Sequence, residues 1–223
     1  MVDLLSEPIE DLLAGPHGSS WFFHAHSPEL FNVIEKAPVD DIERISYAAN
    51  EIQRRGNSRA LEQLNHQIVR RGLIVYPWLT QAREALSLLN PIPSKEYRAC
   101  VYVIARSGYV EDNGVFGVYV GQTSRTPEER CEEHLTPGHP RAARGLPEHG
   151  IGLVYSLMHP WIKVPAGDKL KYETALSAAL QLAIPKVTGD IQEDFRDWLP
   201  DFQPRLYKAL EKRPDLGIWH ESI

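Results

Sequence analysis

The sequence predicts an α+β protein: a small mixed or antiparallel three-stranded sheet flanked by helices, preceded by a helical N-terminal region. Three observations predict it. Through the first 95 residues apolar side chains recur at helical spacing between Gly, Pro and Asn breaks. From Cys100 the pattern turns into two short runs rich in Val and Tyr, the composition of strands. Directly after the second run, Thr126-Pro127-Glu128-Glu129 spells a helix start, with Thr126 as cap, Pro127 at the first position and Glu129 closing a capping box.

Taken in order, Ser27-Pro28-Glu29 opens a short helix capped by Ser27. Asp40 to Arg55 carries Ile42, Ile45, Ala48, Ala49 and Ile52 on one helical stripe. Gly56-Asn57-Ser58 interrupts it, and Ser58 is the expected cap of a helix from Arg59 to Arg71. A further helix is expected over Trp78–Leu89. Pro91, Pro93 and Ser94 then mark a boundary. This divides the chain into a helical region 1–95, a mixed domain 96–186 and a helical extension 187–223. In the domain, Cys100–Ala105 and Val115–Val120 pair as a hairpin across a long polar connection, Ser107–Gly114. A helix over Pro127–Leu135 follows, then a third strand over Gly152–Met158. Asp168 is the expected cap of a helix that Pro185 stops at Ile184. Two last helices are expected over Ile191–Leu199 and Arg205–Lys212.

Composition narrows the function classes. The chain has 223 residues, 43% hydrophobic and 24% charged, as globular proteins do. No run approaches the roughly 18 apolar residues of a membrane span. The acidic start Met1-Val2-Asp3 lacks the basic and apolar regions of a signal peptide. Two cysteines, Cys100 and Cys131, form neither a disulfide framework nor a zinc pattern. The expectation is a cytoplasmic protein, with export by a non-classical route left open. A net charge of −6 counts against a general nucleic-acid coat protein. The acidic excess sits mainly in the first 97 residues, so any phosphate affinity further on comes from local arrangement.

The chemistry concentrates in Val118–His134. There a strand ends at Gly121, a polar turn follows, and the capped helix presents Arg130 and His134 four residues apart, on one face. Arg130 offers a planar donor fork that matches phosphate oxygens. His134 can donate a hydrogen bond or exchange a proton near neutral pH.

These residues resemble the GIY-YIG nuclease family, over Tyr97–Lys186. Val101-Tyr102-Val103 stands in place of the first motif. Tyr119-Val120-Gly121 matches the second, with Val for Ile. Gln122, Thr123, Arg130 and His134 continue the pattern. Glu173, within Lys171-Tyr172-Glu173-Thr174-Ala175-Leu176, stands on a helix where the family has its metal-binding glutamate. The resemblance implies a metal-dependent endonuclease that hydrolyses DNA phosphodiester bonds with a single Mg2+ or Mn2+ ion on Glu173. Arg130 would stabilise phosphate charge in the transition state. Tyr102 and Tyr119 would orient or deprotonate water from one rim of adjacent strands, and His134 would serve as base or phosphate contact. Gln122, Thr123, His139, Arg141 and Arg144 are the expected nucleic-acid contacts. Glu173 is expected at the edge of the apolar stripe Tyr172, Leu176, Ala179 and Ala183, without deep burial. The family's Asn after the glutamate helix has no counterpart, since no Asn follows Asn113. Gln181 and Thr188 are the candidate substitutes.

The alternative is a catalytically impaired nucleic-acid-binding or protein-interaction module that keeps this fold, and a plain helical adaptor is a third reading. Restriction, phage or mobile-element defence and antibacterial settings are equally open. The acidic N-terminal region suits a protein partner or inhibitor as well as DNA. The basic pairs Arg54-Arg55 and Arg70-Arg71 read as solvated helix ends or as a backbone grip. His24-Ala25-His26 is half a metal site without a third ligand, and Trp161 and Trp198 read as packing residues.

Overall fold

The computed structural model describes residues 2–16, 19–90, 99–109, 115–158 and 163–216. Pro91, Pro93, Ser94, the hairpin tip at 110–114 and Trp161 lie outside the described residues. The chain divides into two compact units, Met1–Thr80 and Gln81–Ile223. The division falls inside helix α6 (Leu79–Leu86), ahead of the expected 95/96 boundary.

The first unit is helical: α1 (Ile9–Leu13), α2 (Trp21–His24), α3 (Ser27–Lys36), α4 (Ile42–Arg55) and α5 (Ser58–Arg71). Helix α4 is its centre. Its Ile45, Tyr47, Ala48, Ala49 and Ile52 are buried, together with Leu30, Val33 and Ile34 of α3 and Leu64 of α5. Each large apolar side chain buried there contributes roughly 1.5–3 kcal/mol. The caps differ by one residue from expectation. Asn57, not Ser58, caps α5, its side-chain oxygen accepting from Ala60 N at 3.0 Å. Asn57 prevails because Ser58 already has helical geometry and Asn57 is extended. His26 takes the position before α3, whose first residue is Ser27.

Of the basic pairs of this unit, Arg54, Arg55 and Arg71 are built into its structure, and Arg70 is exposed. Buried Glu51 accepts from Arg54 Nε at 2.7 Å and from Arg55 Nε at 2.7 Å. Arg55 also donates to the carbonyl of Ala25 at 2.7 Å, and Arg71 to those of Ile34 and Ala37 at the end of α3. His24 bonds Ser19 Oγ at 2.7 Å.

The second unit is built on a four-stranded mixed sheet in the order β3-β1-β2-β4. Strands β1 (Cys100–Tyr109) and β2 (Val115–Thr123) pair antiparallel, with Tyr102 opposite Gly121 and Ile104 opposite Tyr119. Strand β3 (Gly150–Leu153) pairs antiparallel with β1, and β4 (Val187–Thr188) pairs parallel with β2. The expected count of three strands is corrected to four. Two residues are too short to show a period of two, so β4 leaves no pattern to read. The expected third strand is also shortened. Its later part, Tyr155–Met158, is the helical turn α9.

Side chains alternate across a strand. Cys100, Tyr102 and Ile104 therefore share a face with Tyr119, Gly121 and Thr123. Val101, Val103 and Ala105 share the other face with Val118, Val120 and Gln122. All six of the β1 residues are buried, so the sheet is covered on both faces. Helix α7 (Pro127–Leu135) packs on β1 and β3, and α10 (Lys169–Gln181) packs on β1, β2 and β4. A short α8 (Leu146–His149) leads into β3, and α11 (Phe195–Phe202) and α12 (Pro204–Leu210) pack against α10. Tyr172 of α10 meets Phe202 edge to face at 4.9 Å.

Candidate functional site

Helix α7 delivers its side chains with a fixed register because its start is doubly tied. Thr126 Oγ1 accepts from Glu129 N at 3.2 Å, and Glu129 Oε2 accepts from Thr126 N at 3.2 Å. This places Arg130 half-buried and His134 fully buried, beside the tyrosines of β1 and β2.

The rings of Tyr102, Tyr119 and His134 form one cluster, with centroids 5.1 to 6.3 Å apart. His134 Nε2 lies 2.7 Å from the Tyr102 hydroxyl. Its other ring nitrogen, Nδ1, accepts the backbone N–H of Ala143 at 2.8 Å. A backbone amide can only donate, so Nδ1 carries no proton and the neutral ring is protonated at Nε2. His134 therefore donates to Tyr102. The positive charge of Arg130 also acts on this phenol. Having accepted from His134, Tyr102 keeps its own hydroxyl proton to donate, and the ring of Tyr119 is its neighbour. The hydrogen bonds run in one direction, from Ala143 through His134 to Tyr102.

Gly121 makes this arrangement possible. A Cβ there would lie 2.4 Å from the Tyr102 hydroxyl and 2.9 Å from a ring carbon of Tyr119. The glycine is a gap into which the two phenols lean.

Tyr102 is 1% exposed, so it sits beneath the rim that the sequence suggests, and half-buried Tyr119 is the outer phenol. Burial pushes both phenols upward, Tyr119 further under the charge of Glu173. Burial, with Arg130 nearby, lowers His134 to about 4. The expected proton exchange near neutral pH is therefore replaced by a neutral ring with both nitrogens engaged.

Glu173 enters from α10. It is 2% exposed, a correction to its expected place at the edge of the stripe. Oε1 accepts from Asp190 N at 3.3 Å, and Oε2 is buried without a hydrogen-bond partner. Burial, and the nearby charge of Asp190, raise it to about 7. Tyr119 feels both Glu173 and Arg130, so the glutamate and the arginine act on the same phenol.

A carboxylate oxygen buried without a donor fits a hard divalent cation, which would supply the missing positive charge. Among the described residues no group of three or more His, Cys, Asp or Glu gathers as a metal cage. Glu173 with water is the arrangement that suits Mg2+, which keeps much of its hydration.

The expected nucleic-acid contacts separate. Gln122 belongs to the opposite face of the sheet from Tyr119. Thr123 is buried, its hydroxyl accepting from Arg125 N at 3.0 Å. His139, Arg141 and Arg144 lie on the segment after α7 that the Ala143–His134 bond ties to the cluster. His139 Nδ1 accepts from Arg141 N at 3.2 Å, and Arg141 and Arg144 are exposed. Glu133 gathers the cations: Arg130 at 2.7 Å, Arg125 at 2.5 Å and Arg141 at 3.9 Å. Of the two substitutes for the missing Asn, Thr188 donates its hydroxyl to Val118 O at 3.2 Å, within the sheet, and Gln181 is the last residue of α10.

Sequence reasoning misses Gly189 and Asp190. Their signal is a Thr-Gly-Asp turn beyond the helix-stopping Pro185, visible only once β4 is recognised. No family model, no curated protein and no solved structure matches the chain. No helix among the described residues is long and apolar enough to cross a membrane.

Proposed function

We propose that the unit Gln81–Ile223 is a divalent-metal-dependent endonuclease that hydrolyses DNA phosphodiester bonds, in the manner of the GIY-YIG family it resembles. The observation that carries this reading is the meeting of unlike groups on one phenol. Tyr119 stands under the charges of both Arg130 from the capped helix and Glu173 from α10, with the rings of Tyr102 and His134 beside it.

Each residue then has a task that its surroundings suit. Arg130 presents its fork to a phosphate oxygen and stabilises the charge that grows there. Tyr119, the outer phenol, orients the attacking water as hydrogen-bond partner. Tyr102 holds Tyr119 from behind, and His134 holds Tyr102. Glu173 would hold the cation, which when bound supplies Lewis acidity at the phosphate. The exposed Arg141 and Arg144 would steer the backbone of the substrate, an interaction that salt weakens. The acidic first unit is read as a surface for a protein partner or inhibitor.

Supercoiled plasmid cleavage with Mg2+ or Mn2+ tests the reading. Wild type should nick or linearise the plasmid. Glu173→Gln and Arg130→Ala should each lose at least about a hundred-fold in rate, the scale seen when one stabilising group of a charged transition state is removed. Wild-type activity no higher than both variants with every metal would reject the assignment. Salt-sensitive DNA binding without cleavage would support the impaired-module alternative instead.

A further inference from the structure

We infer that Asp190 is a second carboxylate of the cation site, facing Glu173 across the end of β4. The inference rests on the nuclease reading for its chemistry. Its geometry is independent of that reading.

Three observations place Asp190 there. The backbone between β4 and Asp190 is shaped for it. Gly189 has φ +146, and a Cβ on it would lie 2.5 Å from the carbonyl oxygen of Val120. Glycine alone fits there, alongside β2. Directly after it Asp190 N donates to Glu173 Oε1 at 3.3 Å, which fixes the two residues together. The remaining oxygen of Glu173 is buried and without a donor, and so is the hydroxyl of Ser177 one helical turn on. Polar atoms left this way are rare in folded proteins and call for an explanation. The Gly189 turn lies beside that hydroxyl, 3.4 Å from the position its Cβ would take.

Asp190 is exposed while Glu173 is buried. One carboxylate would thus hold a cation from inside and the other from the solvent side, leaving the remaining positions to water and phosphate. Two carboxylates with several waters match what Mg2+ and Mn2+ accept.

The test uses the full chain and the metal alone. Mn2+ binding is followed by calorimetry and by the electron paramagnetic resonance of free Mn2+, for wild type, Asp190→Asn, Asp190→Ser and Glu173→Gln. Both Asp190 variants retain the backbone N–H that holds Glu173. The expected result is Mn2+ binding by wild type and at least a roughly ten-fold weaker Kd in both Asp190 variants, the loss that even an outer partner of a metal site produces. Plasmid cleavage by these variants should need correspondingly more Mg2+. If Glu173→Gln abolishes binding while both Asp190 variants bind as wild type does, Asp190 is no ligand and the nuclease reading stands. If wild type binds Mn2+ through both residues yet cuts nothing, the site stands and the nuclease reading falls. Absence of Mn2+ binding by wild type overturns the inference.

Discussion

His134 shows how far a spacing can be read and where it stops. The interval Arg130–His134 announces a shared helix face, and the two do serve one cluster. Burial decides the rest. A histidine with an amide donating to Nδ1 and a tyrosine at Nε2 has no open nitrogen for a phosphate or a proton. A side-chain pattern cannot show that, because Ala143 contributes only its backbone. Nitrogen-detected NMR should find His134 as the neutral Nε2–H tautomer at pH 7, with no titration until the pH falls towards about 4. A midpoint near the ordinary 6.5 would contradict a chain of hydrogen bonds that runs from His134 to Tyr102. Asn and Gln cannot supply the same two contacts at the same reach. His134→Gln should therefore lower the cleavage rate more than it raises the substrate concentration needed.

At the scale of elements, the hairpin and the capped helix are legible because each carries a local signal: β-rich runs, and Thr-Pro-Glu-Glu. The pairing register is not, and it turns Gly121 from a motif letter into a physical gap. Gly121→Ala places a methyl 2.4 Å from the Tyr102 hydroxyl. Over-packing of this kind costs roughly 1–3 kcal/mol. Denaturant unfolding should show that loss, and Tyr102→Phe in the same chain should recover part of it by removing the clashing oxygen. Equal stability of Gly121→Ala and wild type would mean that the strands yield at no cost. Strand β4 is illegible for the opposite reason. Its two residues join the sheet through parallel pairing with β2, a long-range choice with no local mark.

On the scale of the whole molecule, the α+β class is readable from the change of period near Cys100. The division into two units is not, because it falls within α6, where a continuous helix leaves no break in composition. Stability is also a property of the whole, and two buried groups pull it in opposite directions. Glu173 has a folded pKa raised from 4.5 to about 7. The folded state therefore holds the extra proton between those values, and stability falls as pH rises through them. His134 is lowered from 6.5 to about 4, so its contribution is lost as pH falls through that window. Where the windows overlap the two slopes oppose each other. Metal-free Glu173→Gln should unmask the histidine alone: its stability should climb with pH, and at pH 7 it should exceed wild type by on the order of 3 kcal/mol. Chemical denaturation at pH 5 and pH 7 with a chelator present measures both. A variant less stable than wild type at pH 7 would show that Glu173 is ionised at no cost.

Glu133 has a further consequence. One carboxylate, 15% exposed, stands among Arg125, Arg130 and Arg141. These cations already have an anion in their midst, so on the nuclease reading a phosphate would arrive by exchange, displacing a resident rival. On that reading the exchange would set a threshold: a lone, weakly held phosphate would leave the glutamate in place, whereas a polymer presenting several phosphates at once would dislodge it. On the nuclease reading, Glu133 is a built-in decoy that makes selection by chain length a property of the free enzyme.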